Sequence, residues 1–197
     1  MHRLLWSALL ACGAADLQPS PPSDLPVYHV GVSSIPQADG FDFPVGPPDA
    51  QGYYDAQPFG GPHAHLGSDW NGNGGSDTDL GDPIHAVANG LVTGAYDHGG
   101  GWGGVVMVAH RVPDPSGGED RLVESLYAHL ERIDVAVGDA VARGDQLGAM
   151  GNVGGLYLAH LHFEIRARVG APIGGGYGDP GITYLDPTAF IQEHRPR

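Results

Sequence analysis

Short apolar runs alternate with glycine, asparagine and aspartate along most of the chain from residue 41 onward. Turn-forming residues bound each run, as is typical of strands in an antiparallel sheet. The five clearest runs lie at residues 84–92, 105–109, 122–130, 140–147 and 161–169. The pattern therefore predicts a mainly β domain, built as an antiparallel sheet or sandwich.

A helical period is visible near the C-terminal end, over residues 187–194. Asp186 directly precedes this stretch, and an aspartate at that place accepts hydrogen bonds from the free N–H groups of a first helical turn. We therefore predict one short C-terminal helix.

The composition fits a turn-rich β protein, because the 197 residues include 33 glycines and 17 prolines. That length accommodates one ordinary domain with short additional segments. Five prolines between residues 17 and 40 interrupt every periodic pattern, so we expect an extended tether there. The predicted organisation is a leader at residues 1–12, a proline-rich tether at 13–40 and a single domain at 41–193.

The formal net charge of −14 comes from 23 acidic and nine basic residues, and every one of the nine is arginine. An acidic surface repels phosphates, so we expect neither nucleic acid nor an anionic lipid surface as a partner. The lack of lysine also excludes Schiff-base enzymes and carriers of a lipoylated lysine. Cys12 is the one cysteine in the sequence, so a metal ion would have to be held by histidine and carboxylate side chains.

The first twelve residues resemble an export signal. Arg3 precedes eight mostly apolar residues, and the sequence L-L-A-C at 9–12 is similar to a bacterial lipoprotein processing site. We expect export to the cell envelope or beyond, and a lipid on Cys12 would anchor the protein to a membrane. The alternative interpretation is a buried N-terminal strand or a misassigned start codon.

Two histidines alternate with apolar residues in H-L-H-F-E-I at residues 160–165. On a strand this alternation places His160, His162 and Glu164 on one face. Two imidazoles side by side are either a structural feature or part of a metal site, and the motif alone leaves both interpretations open.

Two other segments supply side chains of the same kind. His65 and Asp69 lie four positions apart in a glycine-containing loop, and His129 shares a predicted strand face with Tyr127. Imidazole nitrogens and a carboxylate oxygen suit Zn²⁺ with an open position for water, and such a site can hydrolyse an amide. Since the sequence contains no H-E-x-x-H helix, spare histidines are the candidates for proton transfer.

The order of these motifs resembles the lysostaphin-like zinc metallopeptidases of bacterial cell walls. The shared set is HxxxD, G-D-P-x-x-A-x-x-x-G, Y-A-H-L, V-G-D-x-V-x-R-G-D and H-L-H-F-E-I, and the resemblance covers residues 41–191. It implies a lysostaphin-type β fold and a Zn²⁺ cofactor. It further implies that His65, Asp69 and His162 bind the zinc, and that His129 and His160 are the catalytic histidines.

The function implied by the resemblance is a zinc endopeptidase acting on the stem or cross-bridge peptides of peptidoglycan, with a monomer as the expected state. Two alternatives stay open. One is a non-catalytic module of the same fold that binds the wall or activates an amidase; the other is a zinc peptidase acting on another glycine-rich or D-amino-acid peptide. Residues 151–159 depart from the family's Thr-Gly and Ser-Thr-Gly-Pro pattern, so we expect the substrate groove to differ there.

The acidic loop after Asp69 carries a weaker signal. Asp69 begins a D-x-N-x-N-G sequence like that of an EF-hand loop, but position twelve is Leu80 and not a glutamate. Weak calcium binding by Asp77, Asp79 and Asp82 remains an alternative.

Glu164 and His63 also lie near these motifs. Glu164 is interpreted as a solvated carboxylate, with a role beside the metal as the alternative. His63 is a less favoured substitute for His65 as a ligand.

Overall fold

The structure is a computed structural model that describes residues 32–181 and 183–196. The predicted leader, Cys12 and the first part of the predicted tether therefore lie outside the described residues. A short 3₁₀ turn at Val32–Ser34 opens the described chain. The strands are β1 (Tyr53–Gln57), β2 (Ser68–Gly72), β3 (Pro83–His85), β4 (Gly90–Gly99), β5 (Gly103–Val112), β6 (Arg121–Ile133), β7 (Ala140–Val141), β8 (Gln146–Met150), β9 (Leu161–Arg166) and β10 (Tyr184–Leu185), followed by helix α1 (Pro187–Glu193).

These strands form one sheet in which neighbouring strands run antiparallel. The main order is β1-β2-β9-β6-β5-β4-β7. Strand β10 pairs with β9, and the β3–β8 pair joins the sheet through β6. The mainly β, antiparallel fold predicted from the apolar runs is confirmed.

Strand β9 brings together segments that are far apart in sequence, because it lies between β2 and β6. In the β2–β9 register Asp69 stands opposite His162. In the β6–β9 register Ala128 stands opposite the same histidine, one residue before His129. The pairing of these three strands therefore assembles the candidate site.

Hydrophobic side chains pack on both faces of the sheet. The main core contains Tyr127 and Phe163, whose ring centroids lie 5.2 Å apart and which are fully buried. A smaller cluster contains Val105, Leu126 and Ala128, with Trp102, Met107 and Ile173 packed against it. Successive residues of a strand point to opposite faces, so Leu126 packs in the smaller cluster and Tyr127 in the main core. Full burial of a large apolar side chain stabilises the fold by about 1.5–3 kcal/mol.

Two of the predicted strands are divided in the structure. The run at 84–92 contains the end of β3 and the start of β4. Between them the Ala86 N–H donates a hydrogen bond to the Asp145 carbonyl oxygen, which lies in a loop and not in a neighbouring strand. The run at 140–147 contains β7 and β8, which are separated by a turn at Gly144 with a φ of 87°. That left-handed backbone favours glycine.

The predicted C-terminal helix is confirmed. Helix α1 begins after Asp186, whose carboxylate accepts a hydrogen bond of 3.0 Å from the Ala189 N–H. The helix has seven residues and buries Phe190 and Ile191. In the described part of the chain, no helix is long and apolar enough to cross a membrane.

The beginning and the end of the domain meet at one place. The Phe41 N–H donates to the His194 carbonyl oxygen at 2.8 Å, and the Phe41 ring packs edge-on against Phe190 at 5.0 Å. Arg195 forms an ion pair of 3.0 Å with Asp42. These contacts link the residues before β1 to those after α1.

Part of the predicted tether contacts the sheet. Ile35 and Ala38 are buried, and the Ala38 N–H donates to the carbonyl oxygen of Arg111 in β5 at 2.8 Å. Residues 32–40 are therefore held against the domain by both apolar and backbone contacts.

Candidate metal centre and active-site groove

Three side chains predicted as metal ligands converge on one point of the sheet. The Nε2 atom of His65 lies 3.1 Å from the Nδ1 atom of His162. The Oδ1 atom of Asp69 lies 3.3 Å from the first of these nitrogens and 2.9 Å from the second. Among the described residues, this is the group of three histidine and carboxylate side chains that could hold a metal ion.

The spacing of these atoms fits a tetrahedral zinc ion. Zinc–ligand bonds of about 2.0–2.1 Å at tetrahedral angles separate neighbouring ligand atoms by about 3.3–3.4 Å. The three observed distances approach that value. Three protein ligands leave a fourth position open, which is the arrangement of catalytic and not of structural zinc sites.

Hydrogen bonds on the outer side of each imidazole orient the two histidines. The Nδ1–H group of His65 donates to the Gln57 carbonyl oxygen at 2.9 Å, which leaves Nε2 with a lone pair. The Nε2 atom of His162 lies 3.1 Å from the Oε1 atom of Glu164. The other nitrogen of each ring, Nε2 of His65 and Nδ1 of His162, therefore points towards Asp69.

The electrostatics of the cluster also favour a bound cation. Burial alone would raise the pKa of the Asp69 carboxyl, but hydrogen bonds from His162 and His65 hold that pKa below its ordinary value. Burial opposes charge on His162 too, yet the carboxylates of Asp69 and Glu164 raise its pKa to about 9. A metal ion must therefore displace a proton from His162 at neutral pH.

The two predicted catalytic histidines lie side by side next to this cluster. The ring centroids of His129 and His160 are 4.6 Å apart, and those of His129 and His162 are 5.8 Å apart. His160 donates from Nδ1–H to the Leu158 carbonyl at 2.8 Å, and His129 donates from Nδ1–H to the Trp102 carbonyl at 3.2 Å. Both rings therefore keep Nε2 free to accept a proton.

His129 has an unusual backbone conformation, with a φ of 66°. The carbonyl of Trp102 accepts from its backbone N–H at 2.9 Å as well as from its ring. The predicted shared face with Tyr127 is wrong, because Tyr127 packs in the main core whereas His129 lines the groove. The left-handed residue breaks the strand alternation, and such strain is characteristic of functional positions.

Burial lowers the pKa of His129 to about 3, and the neighbouring imidazoles of His160 and His162 act in the same direction. His129 is therefore neutral at neutral pH. A neutral ring with its Nδ1 proton committed to a carbonyl presents a lone pair on Nε2.

A groove of about 440 Å³ exposes most of these groups together. Its lining residues are Gln57, Asp69, Gly101, Trp102, His129, Tyr157, His160, His162, Gly175, Gly176 and Tyr177. Three aromatic rings flank the histidines, with centroid distances of 5.2 Å for Trp102–His162, 5.2 Å for Tyr157–His129 and 5.3 Å for Tyr177–His65. Aromatic rings and glycines without side chains therefore line the same groove.

Several groove residues were not predicted from the sequence. Trp102 and Tyr177 lie in glycine-rich segments that carry no regular pattern, and Gln57 ends a strand with few apolar residues. Strand β2 also has few apolar residues and was not predicted. Asp69 therefore lies on a strand, where the sequence predicted a loop. The clustering of single aromatic residues among glycines is the signal that could have indicated a groove.

The interpretation of Glu164 as a solvated carboxylate is wrong, because this residue is 1% exposed. Strand β9 is buried along its whole length, since it lies between β2 and β6. The hydrogen bond to His162 instead places Glu164 beside the candidate metal centre.

The other polar motifs have different roles. His63 is exposed and lies outside the ligand group. In the acidic loop the Asp77 carboxylate accepts from the Ala159 N–H at 2.7 Å, and that of Asp82 accepts from the Tyr53 hydroxyl at 2.6 Å. These carboxylates are thus engaged by protein donors in the part of the chain that the structure describes.

An antiparallel β-sheet with a His–Asp–His cluster and two further histidines beside one groove defines a domain of the lysostaphin type. The family model of peptidase family M23 matches residues 63–174, and the chain belongs to this family.

Comparisons with known proteins agree with this assignment. The chain is 35% identical over 88 residues to the lipoprotein NlpD of Yersinia enterocolitica, a match that covers 45% of this chain and 80% of that protein. It is 31% identical over 94 residues to the peptidoglycan DD-endopeptidase ShyA of Vibrio cholerae, covering 48% of this chain and 19% of that protein. The chain thus spans about a fifth of the length of ShyA.

Solved structures show the same fold. Lysostaphin from Staphylococcus simulans is 25% identical with a TM-score of 0.51, over 72% of this chain and 50% of that one. A Pseudomonas aeruginosa protein described as a peptidase M23 is 28% identical with a TM-score of 0.50, over 77% of this chain and 50% of that one.

Proposed function

We propose that this chain is a zinc-dependent endopeptidase that hydrolyses peptide bonds in bacterial cell-wall peptidoglycan, in its stem or cross-bridge peptides. The observation that supports it is the convergence of His65, Asp69 and His162 beside two histidines with free Nε2 atoms in one groove. The M23 family and the relative named as a peptidoglycan DD-endopeptidase support the same substrate class.

In this proposal His65, Asp69 and His162 hold the zinc ion. Zinc supplies Lewis-acid activation of a water molecule and of the scissile carbonyl when it is bound. The hydrogen bonds from His65 to the Gln57 carbonyl and between His162 and Glu164 fix the ring planes, so the ligands do not reorganise during the reaction.

His129 and His160 are the proposed catalytic residues. One Nε2 accepts the proton of the attacking water, and the protonated ring can then return it to the leaving amine. Until then, the Nε2–H group of the protonated ring can donate a hydrogen bond to the developing oxyanion. The carbonyls of Trp102 and Leu158 keep both rings in the tautomer that this chemistry needs.

The groove supports a polypeptide substrate in an extended conformation. The lining residues Gly101, Gly175 and Gly176 have no side chains, whereas Trp102 and Tyr177 contribute aromatic rings to the lining. The sequence resemblance to an export signal and the relative named as a lipoprotein support a location in the cell envelope or outside the cell, with Cys12 as the proposed lipid anchor.

Digestion of purified muropeptides tests the proposal. The protein is loaded with one equivalent of zinc, and the products are identified by mass spectrometry. We expect cleavage of an amide bond, loss of cleavage with a chelator and recovery when zinc is restored. His63→Ala is the matched control, because His63 is exposed and lies outside the ligand group.

Three other outcomes have distinct meanings. Intact muropeptides with zinc-loaded protein, together with binding to the wall, would identify the non-catalytic module. Cleavage confined to peptides from outside the wall would identify a zinc peptidase with another substrate. Cleavage that a chelator does not affect would contradict the metal-dependent mechanism.

A further inference from the structure

A buried carboxylate lies directly behind one of the proposed metal ligands. Glu164 follows His162 by two positions on β9, so both side chains project from the same face of the sheet. Its Oε1 atom lies 3.1 Å from Nε2 of His162, on the side of the ring away from Asp69 and His65. The imidazole is thus held between the metal-binding point and this carboxylate.

The contact determines which nitrogen of His162 can bind a metal. A neutral imidazole carries one N–H group, and an ionised carboxylate can only accept a hydrogen bond. The proton is therefore placed on Nε2, and the lone pair lies on Nδ1, which points at Asp69. With the proton on Nδ1, the ring would present no lone pair towards Asp69 and His65, so it could not bind a metal ion between them.

The charge of Glu164 also requires a positive partner, because a buried carboxylate is strongly destabilising unless it is paired. The nearby guanidinium of Arg166 forms an ion pair with Glu124 on strand β6. A dication bound to His162, Asp69 and His65 would supply positive charge across the imidazole from Glu164.

The packing around Glu164 leaves little freedom of movement. A Cβ atom added at Gly67 would lie 3.2 Å from Cγ of Glu164 and 2.9 Å from Cε1 of His162. The glycine backbone therefore packs against both side chains. A carboxylate restrained in this way can hold the imidazole in a fixed orientation.

We infer that Glu164 is a positioning residue of the metal centre, which fixes the Nδ1-binding tautomer of His162 and balances the charge of the bound dication. The inference deepens the proposed function and rests on the part of it that concerns zinc binding. It does not depend on which peptide bond is cut.

Zinc affinity measured by competition with a chromogenic chelator tests the inference. The proteins are the wild type, Glu164→Gln, Glu164→Ala and Glu193→Gln, the last of which removes one negative charge from an exposed position of α1. We expect about tenfold weaker zinc binding for Glu164→Gln, a loss of about 10–100-fold for Glu164→Ala, and an unchanged constant for Glu193→Gln.

Proton NMR of the zinc-loaded proteins provides a readout that a purely structural role would not change. The wild type should show a downfield, exchange-protected Hε2 resonance, identified by its absence in His162→Gln. The resonance should move upfield in Glu164→Gln, where a neutral amide oxygen accepts the hydrogen bond. It should be lost to solvent exchange in Glu164→Ala.

The outcomes separate this inference from the proposed function. A wild-type protein that binds zinc but cleaves no muropeptide would overturn the peptidase proposal. The zinc affinities of the variants could still be measured and would still test the role of Glu164. Zinc affinities within twofold of the wild type for Glu164→Gln, with an unshifted resonance, would overturn the role of Glu164. Since glutamine is nearly isosteric with glutamate, that variant decides the matter even where Glu164→Ala fails to fold.

Discussion

The Nε2 atom of His65 lies 3.1 Å from the Nδ1 atom of His162, although the two residues are 97 positions apart in the chain. Both nitrogens face the Asp69 carboxylate, and the other nitrogen of each ring has its own hydrogen-bond acceptor. A pair of inward-facing lone pairs is unfavourable without a proton or a cation between them. The geometry is therefore that of a binding site for a positive charge.

Substitution of a ligand and of a proposed catalytic histidine should have different effects. His162→Ala removes one of three proposed ligands, so the purified protein should lose its zinc and its activity together. His129→Ala removes only a proposed proton acceptor, so it should retain zinc but lose activity by about 10²–10⁴-fold. Metal analysis and muropeptide assays on the same samples check both expectations, and full activity in either variant would contradict the assigned roles.

Zinc binding should release protons at neutral pH. The Asp69 and Glu164 carboxylates raise the pKa of His162 to about 9, so the metal-free ring is charged at pH 7 and must lose its proton on binding. The apparent zinc affinity should therefore rise with pH up to about 9. Titration calorimetry in buffers of different ionisation enthalpy measures the released protons, and a buffer-independent enthalpy at pH 7 would exclude this coupling.

A single methyl group at Gly67 should disrupt the metal centre. The added Cβ would lie 2.5 Å from the Phe163 carbonyl oxygen and 2.9 Å from Cε1 of His162, closer than such atoms pack. Gly67→Ala should therefore weaken zinc binding at least tenfold and lower thermal stability. Gly175→Ala is the matched control, because an added Cβ there meets nothing within 4 Å. Equal zinc affinities in the two variants would show that β2 and β9 can move apart.

His110 should make the fold sensitive to mild acid. Burial lowers its pKa to about 4, while its Nε2 atom lies 2.7 Å from the Ser125 hydroxyl. Between pH 6.5 and 4 the unfolded chain binds a proton that the folded chain does not, so the free energy of unfolding falls as the pH falls. The full loss from this residue is on the order of 3 kcal/mol.

Urea denaturation of the chelator-treated protein at pH 7 and pH 4.5 measures this effect. His110→Gln should be less stable at pH 7 but should lose less stability on acidification than the wild type. His63→Gln, at an exposed position, should show the same pH dependence of the free energy of unfolding as the wild type. Equal acid sensitivity of the wild type and His110→Gln would exclude His110 as the cause.

The ion pair between Arg166 and Glu124 should matter for folding and not for zinc. Both side chains are buried, and the carboxylate of Glu124 also accepts from the Thr93 hydroxyl at 2.9 Å. Glu124→Gln leaves the guanidinium without its counter-charge, so the free energy of unfolding should fall by about 3–5 kcal/mol. The zinc constant of the folded fraction should stay at the wild-type value, and a tenfold change would show that the pair acts on the metal centre.

Alternation and spacing were sufficient to predict the parts of the fold with dense apolar patterns. Strand β9 carries His162 and Glu164 on one face, as H-L-H-F-E-I predicts, whereas His160 directly precedes the strand. The family resemblance implies that His65 and Asp69 converge with His162, and the local pattern of residues does not. In the structure this convergence results from the pairing of β2 with β9. Strands β1 and β2 have few apolar residues, so periodicity could not indicate them.

Other features depend on tertiary contacts that leave no local trace. A left-handed φ at a histidine has no sequence signature, so the strand face of His129 was predicted wrongly. The burial of Glu164 depends on the strands that flank β9 and not on its neighbours in sequence. The groove walls combine single aromatic residues from separate glycine-rich segments, which only the folded chain brings together.

The hydrogen bond between the Phe41 N–H and the His194 carbonyl places the two ends of the domain in direct contact. A short linker could therefore join residues 41 and 195, and new termini could be opened in the exposed turn at residues 115–119 between β5 and β6. The resulting circular permutant should keep the same sheet order. Adjacent ends of this kind also allow such a domain to be inserted into a surface loop of another protein without separating the flanking host segments.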